Sequence, residues 1–293
     1  MKLKGVFYTV VSACLFGVTP LIAKKILQMG MEAEVMVFYR NLLSIPILLC
    51  ILWMNRIPLA LPEKSGKSFM QLGIFGISIT TLFLYSSYRF IPIGTATTLH
   101  FLYPLVVAII AWLWYHERIS KGKWMVLAAS MVGVLCFLYG ESGENMIGIG
   151  LAVASAVSYG YYIVRFEKTS LKQENTYLVS FWFSIVVSGF MLTLQLIQGK
   201  WMPLPSLSAL PWLAALALGT SVLAVAFLQL GIRYLGSVVA SILCLFEPIA
   251  SLLVGITVLQ ERIRLPQVIG CIVILISVLC LIYLDYKKER KQV

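Results

Sequence analysis

Glu247 is the residue with the most chemistry to account for. It stands inside the apolar run Val238 to Arg262, VVASILCLFEPIASLLVGITVLQER, immediately before Pro248. A charge at the centre of a bilayer helix costs roughly 2.5–3.5 kcal/mol on insertion scales. Such a residue normally faces a cavity and marks a functional site. Its carboxylate could couple transport to protons or face a cation; structurally, it could cap backbone broken by Pro248 or pair with His100 or an arginine. His100 is the one histidine inside an apolar run, His116 falling at the end of one. An imidazole there can titrate near pH 6.5 or serve as a hydrogen-bonded core group. Helical spacing puts His100, Tyr103 and Val107 on one face.

Arg40 lies in a second apolar run. It either snorkels to the interface, pairs structurally, or neutralises an anionic group on a solute. Phe16, Tyr85, Tyr88, Tyr159, Tyr162 and Gln229 are candidates to line a cavity with Glu247, His100 and Tyr103. Aromatic faces suit amines or aromatic solutes through the ring quadrupole; the alternative is bundle packing or an interfacial belt. Glu117-Arg118 and Glu261-Arg262 close two apolar runs and read as gates or helix-end ion pairs, or as plain interfacial anchors. Trp53, Trp112, Trp114, Trp124, Trp201 and Trp212 read as interface anchors. The usual enzyme signatures are missing: no HExxH, a single Asp at 285, and no Ser-Lys or Ser-His set at plausible spacing. A GxxxxGK[ST] loop is also absent, which excludes ATP-driven work by this chain alone. No ring of charges or carbonyl filter sequence suggests a channel. Neither catalytic residues, nor a metal site, nor a cofactor is expected.

The elements that must hold these residues are membrane helices. Charged residues make up 12% of the chain and hydrophobic ones 60%, against about 25% charged in a soluble domain. The net charge of +11 is spread between apolar runs, not gathered on a face as a nucleic-acid site requires. Cys14, Cys50, Cys136, Cys244, Cys271 and Cys280 all lie in apolar runs without a CxxC pair and read as packing residues. Ten helices are expected, at 3–26, 35–54, 68–90, 94–115, 123–139, 147–166, 177–197, 207–232, 237–259 and 265–286. The first resembles a signal segment, with Lys2, Lys4 and the box Val11–Cys14, but its apolar run continues past the box and is read as uncleaved. Thr19-Pro20 should kink it. With the N-terminus inside, sixteen Lys and Arg fall on inner segments and six on outer ones, which selects N-in, C-in.

Pro104 and Pro248 align at an offset of 144, as do Glu117-Arg118-Ile119 and Glu261-Arg262-Ile263, Arg89 and Arg233, Tyr85 and Gln229. At an offset of 143, Gly5, Ser12-Ala13, Phe16-Gly17 and Lys25 match Gly148, Ser155-Ala156, Tyr159-Gly160 and Lys168. The chain is thus two copies of a five-helix unit, residues 3–140 and 147–286. Five is odd, so the second copy is inverted, the arrangement that permits alternating access about a midplane site.

Leu15-Phe16-Gly17 with Lys24-Lys25 and Phe38–Leu43 belong to the same pattern. So do Leu102-Tyr103-Pro104-Leu105 through Glu117-Arg118, and Phe246-Glu247-Pro248 through Glu261-Arg262. Together they resemble the drug/metabolite transporter superfamily, in its EamA-type ten-helix branch. The likeness implies a substrate cavity between the halves and, most often, efflux of amino acids, metabolites or drugs. Phe16 departs from the Trp-Gly pair of many relatives. Expected partners are a small-molecule substrate and the lipid bilayer of the cytoplasmic membrane, without nucleic acid; a homodimer is compatible. Import of a cationic nutrient such as a quaternary amine is the alternative. Proton or solute exchange would drive rocking about hinges at Pro104 and Pro248.

Overall fold

The structure is a computed structural model and describes residues 2–60, 65–138, 145–200, 205–259 and 265–290. Ten helices among them are long and apolar enough to cross a membrane. They are α1 (Leu3–Gln28), α2 (Ala33–Met54), α3 (Gly66–Ser87), α4 (Ile93–Leu113) and α5 (Lys121–Leu138). The second half holds α6 (Met146–Glu167), α7 (Thr176–Ile197), α8 (Leu210–Leu235), α9 (Ser237–Val254) and α10 (Leu265–Leu284). No strand is present among the described residues. Local chemistry starts several helices: Ser120, Asn145 and Asn175 cap α5, α6 and α7 through side-chain oxygens.

The two halves interlock. Helix α1 packs chiefly on α8 and α9 of the second half, and α6 packs on α3 and α4 of the first. The remaining large contacts join equivalent helices, α2 with α7 and α5 with α10. Lipid is as apolar as leucine, so close approach at small residues, not hydrophobic burial, holds such helices together. At Gly17, a Cβ would lie 2.7 Å from the carbonyl oxygen of Glu247; at its repeat partner Gly160, one would lie 2.8 Å from Val106 Cγ1. Both contacts join the first helix of one half to the proline helix of the other.

The proline helices break where Pro104 and Pro248 require it. Pro104 has no N–H for the carbonyl of His100, and α4 runs as Ile93–His100 and Tyr103–Leu113. In α9 the turn Cys244–Phe246 tightens to a 3₁₀ form before Glu247. Helix α1 stays helical through Pro20. Two further irregularities have no counterpart in the sequence reading: π-helical turns at Leu72–Ser78 in α3 and Ala217–Ala224 in α8. In each, a serine from the other half donates to a carbonyl of the wide turn: Ser158 to Phe75 at 2.5 Å, and Ser12 to Ala224 at 2.8 Å. The borrowed hydroxyls satisfy backbone acceptors that a regular ladder would have used.

Packing is uneven from end to end. The largest core cluster, with Phe69, Leu72, Tyr103, Phe166, Leu171 and Ile232, fills the end nearer the chain termini. A smaller cluster around Ile26, Met36, Met191 and Leu213 lies at the opposite end. Some helix limits shift: α3 stops at Ser87 because Phe90 N–H bonds back to Ser87 ahead of Pro92, and α8 begins at Leu210 with Pro211 in its first turn.

Candidate functional site

A cavity of about 120 Å³ opens between the halves. Each half contributes wall: α1 to α4 give Phe16, Pro20, Arg40, Thr80, Tyr85 and His100, while α6 to α9 give Tyr159, Tyr162, Ser180, Ser221 and Glu247. The wall is largely aromatic and aliphatic, with a few polar groups placed in it, the usual composition of a small-molecule site.

Glu247 is 6% exposed. Its position follows from the break before Pro248, which starts a new helical segment at the glutamate. Tyr103 O–H donates to Glu247 Oε1 at 3.3 Å. No cation pairs with Glu247 among the described residues. Tyr103 and Glu247 are repeat equivalents, and equivalents can touch only near the axis that relates the halves, so this hydrogen bond marks that axis.

Aromatic rings surround the carboxylate. Tyr103 and Tyr159 meet edge to face with centroids 4.8 Å apart, and His100 lies 5.3 Å from Tyr159. His100 Nδ1 shares a hydrogen bond of 2.9 Å with Ser155 Oγ; its ring does not pair with Glu247. Tyr162 stacks on Tyr159 and accepts from Gln229 Nε2 at 3.4 Å. Phe16, Tyr85, Tyr88, His100, Tyr159, Tyr162 and Glu247 all line the cavity. Tyr103 and Gln229 do not: both are fully buried behind its wall, where they hold Glu247 and Tyr162 in place.

Arg40 lines the same cavity. It is 6% exposed, so it does not snorkel to the interface. Its Nη1 donates to Tyr85 O–H at 3.1 Å, and its guanidinium carbon stands 5.8 Å from the Tyr85 ring. Arg40 Nε has no partner, and neither do Tyr88 O–H, Ser180 Oγ and Ser221 Oγ, all buried. Sequence reading missed Ser180 and Ser221, together with Asn41 and Thr80. The available signal was small polar residues recurring inside apolar runs, which is weak one residue at a time.

Ionic contacts sit at the two ends. Near the termini, Glu117 pairs with Lys168 and Glu167 with Lys172 at 3.5 Å; Glu167 also accepts from the N–H of Ser237 at 2.8 Å. Burial works against the Lys168 charge, but Glu117 and Glu167 outweigh it and hold the ammonium above its ordinary pKa. Arg118 is exposed and has no ionic partner among the described residues, so Glu117 reaches across to α6 instead of pairing with its neighbour. At the other end Arg89 meets Glu34 at 3.3 Å and Lys200 meets Glu32 at 3.3 Å. Glu261 and Arg262 lie outside the described residues.

Two five-helix halves around a shared cavity, with a broken proline helix from each at the axis, are the build of a polytopic membrane transporter. The profile of the EamA-like transporter family matches residues 3–139 and again 146–283. The chain belongs to that family. An uncharacterized transporter of Synechocystis is 29% identical over 75% of this chain, which covers 66% of that protein. An uncharacterized inner membrane transporter of Salmonella typhimurium is 25% identical, with 98% of each chain covered. Solute carrier family 35 member G1 of mouse is 24% identical over 62% of this chain and 52% of its own length. One crystal structure superposes with a TM-score of 0.81 over 99% of this chain and 100% of that one, at 15% identity, a likeness in fold alone.

Proposed function

We propose that the protein is a secondary transporter of the cytoplasmic membrane that exports a small metabolite, amino acid or drug by alternating access. The observation that carries this reading is the cavity itself, walled by both halves, with Glu247 in its lining and Tyr103 holding that carboxyl from behind the wall. Rocking of the halves about Pro104 and Pro248 would open it to one side and then the other. The Glu117–Lys168 pair, which joins the first half to the second, would act as a latch at the end near the termini. Proton or solute exchange supplies the drive, and the substrate is the only partner the mechanism needs besides lipid. The orientation is N-in and C-in, supported by sixteen inner against six outer basic residues. A cysteine placed at Lys200 should then label on intact cells, and one at Lys172 only after permeabilisation; the reverse pattern overturns the orientation.

Import of a bare cation is the second reading, favoured by aromatic rings around Glu247. Arg40 on the same cavity wall opposes it, since a like charge in a low-dielectric site repels a cation strongly. The test is counterflow in proteoliposomes preloaded with one candidate solute at a time. Exchange uptake of a labelled metabolite, with no fixed conductance, is the expected result. A steady ion current, or no exchange with any solute class, refutes the reading.

A further inference from the structure

Two buried ionisable groups of opposite type line one cavity, and neither has an ionic partner among the described residues. Arg40 comes from α2 in the first half and Glu247 from α9 in the second. Among the described residues each makes one side-chain hydrogen bond, to a tyrosine O–H: Tyr85 for Arg40 at 3.1 Å and Tyr103 for Glu247 at 3.3 Å. Buried ionisable groups are normally paired, and these two are not paired with each other. Arg40 Nε and Tyr88 O–H are buried without any partner. Both belong to the same part of the wall, since Tyr88 packs edge to face on Tyr85 at 5.6 Å. One corner of the cavity therefore offers a guanidinium and a spare hydroxyl. The Glu247 corner offers a carboxyl group beside the rings of Tyr159 and His100.

We infer that the transported solute is a small zwitterion, its carboxylate held by Arg40 and Tyr88 and its ammonium by Glu247. Guanidinium matches a carboxylate through paired N–H donors, and an ammonium ringed by aromatic faces gains cation–π attraction in addition to its ion pair. A solute held this way bridges α2 and α9, so it ties the two halves together while it is bound. Neither a bare cation nor a bare anion can satisfy both charges: each leaves one buried ion unpaired, next to a ligand charge of its own sign. Free α-amino acids and betaines both carry the required pair of charges.

This inference rests on the transporter reading and deepens it. The test is thermal stabilisation of the purified full chain in detergent, followed by counterflow in proteoliposomes. Leucine is used in three forms, as leucine, leucinamide and N-acetylleucine, with glycine betaine and 4-aminobutyrate added to vary the head group and the charge spacing. A zwitterion should bind the wild type at least tenfold more tightly than its amide or its N-acetyl form. Leucine answering while betaine does not identifies a free ammonium; betaine answering alone identifies a quaternary one. Arg40→Gln should bring the amide level with leucine, and Glu247→Gln should do the same for the N-acetyl form. The wild-type series decides the matter even if either variant fails to fold. Equal binding of leucinamide or N-acetylleucine by the wild type overturns the inference, as does counterflow of uncharged solutes alone. Selective zwitterion binding without counterflow would instead sink the transporter reading and leave the ligand assignment standing.

Discussion

Gly17→Ala tests the close approach of α1 to the proline helix α9. The added Cβ would sit 2.7 Å from the carbonyl oxygen of Glu247, 2.8 Å from Ala250 Cβ and 3.0 Å from Ser251 N. Carbon contacts are ordinarily about 3.5–4.0 Å, so α1 must retreat from α9 by several tenths of an ångström. Two of the three obstructing atoms are backbone, whereas at Gly160 the two nearest are Cγ1 and Cβ of Val106 and the backbone oxygen stands farther off, at 3.3 Å. Overpacking of this kind costs about 1–3 kcal/mol. Alanine returns roughly 0.5–1 kcal/mol through helix propensity. Gly189→Ala isolates that gain, because Gly189 is mid-helix in α7 with nothing within 4 Å of its built Cβ. The two variants should therefore differ by the overpacking cost alone, about 1–3 kcal/mol. At roughly 2–4 °C per kcal/mol, tryptophan-fluorescence melting in detergent should place Gly17→Ala at least about 2 °C below Gly189→Ala. Gly160→Ala should fall between them. Equal melting of Gly17→Ala and Gly189→Ala would refute the close approach of α1 and α9 at the axis.

Tyr103→Phe removes the one side-chain donor to Glu247 among the described residues, and leaving a buried acceptor unsatisfied costs about 1–3 kcal/mol, readable in the same melts; no loss of stability would mean the hydroxyl does not reach the carboxyl group. Ser44 and Ser184 share a hydrogen bond of 2.8 Å between α2 and α7, so a double-mutant cycle with alanines should give a coupling of about 0.6 kcal/mol, the average for such bonds in membranes. A coupling of zero would refute the contact. Lys168→Gln breaks the pair with Glu117, whose partners are 27% and 31% exposed, so stability should fall by no more than about 1 kcal/mol. The same variant should raise labelling of a cysteine placed at Ser180 from the side of the membrane that carries the termini, and unchanged labelling would remove the pair from the latch.

Much of this architecture was written in the sequence because the repeat records it twice. The apolar runs located all ten helices, and the Tyr103-Pro104 and Glu247-Pro248 equivalence pointed to the axis before any contact was known. The offset that aligns Gly17 with Gly160 put the two glycines at equivalent positions, although nothing local says which helix each one meets. The π-helical turns were invisible, because a widened turn is stabilised by hydroxyls more than a hundred residues away or in another helix, and no local propensity encodes it. Ser12 and Ser158 looked like ordinary small residues of apolar helices. Arg40 was ambiguous for a related reason: a residue number fixes depth along α2 but not the direction of its side chain. The end of α8 was readable in retrospect, since Gly236 takes φ +82° immediately after Leu235, the residue that most often stops a helix. Glu117 does make an ion pair at a helix end, but with Lys168 at the end of α6 and not with its neighbour Arg118, which is exposed; a distant partner of that kind is not written in the local sequence.

The exchange of α1 and α6 between halves sets a condition on synthesis. Ser12 finds its acceptor in Ala224, 212 residues later in the chain. At ~5–20 residues per second, α1 leaves the ribosome roughly 10–40 s before the helices it packs on exist. During that interval its interlocking face has only lipid or the insertion machinery against it. The first half cannot be finished by its own five helices; its opening helix is a place-holder that the second half claims. A ribosome stalled after α5 would leave an orphaned helix at the membrane, and quality control could recognise that helix by the small residues and hydroxyls it still presents.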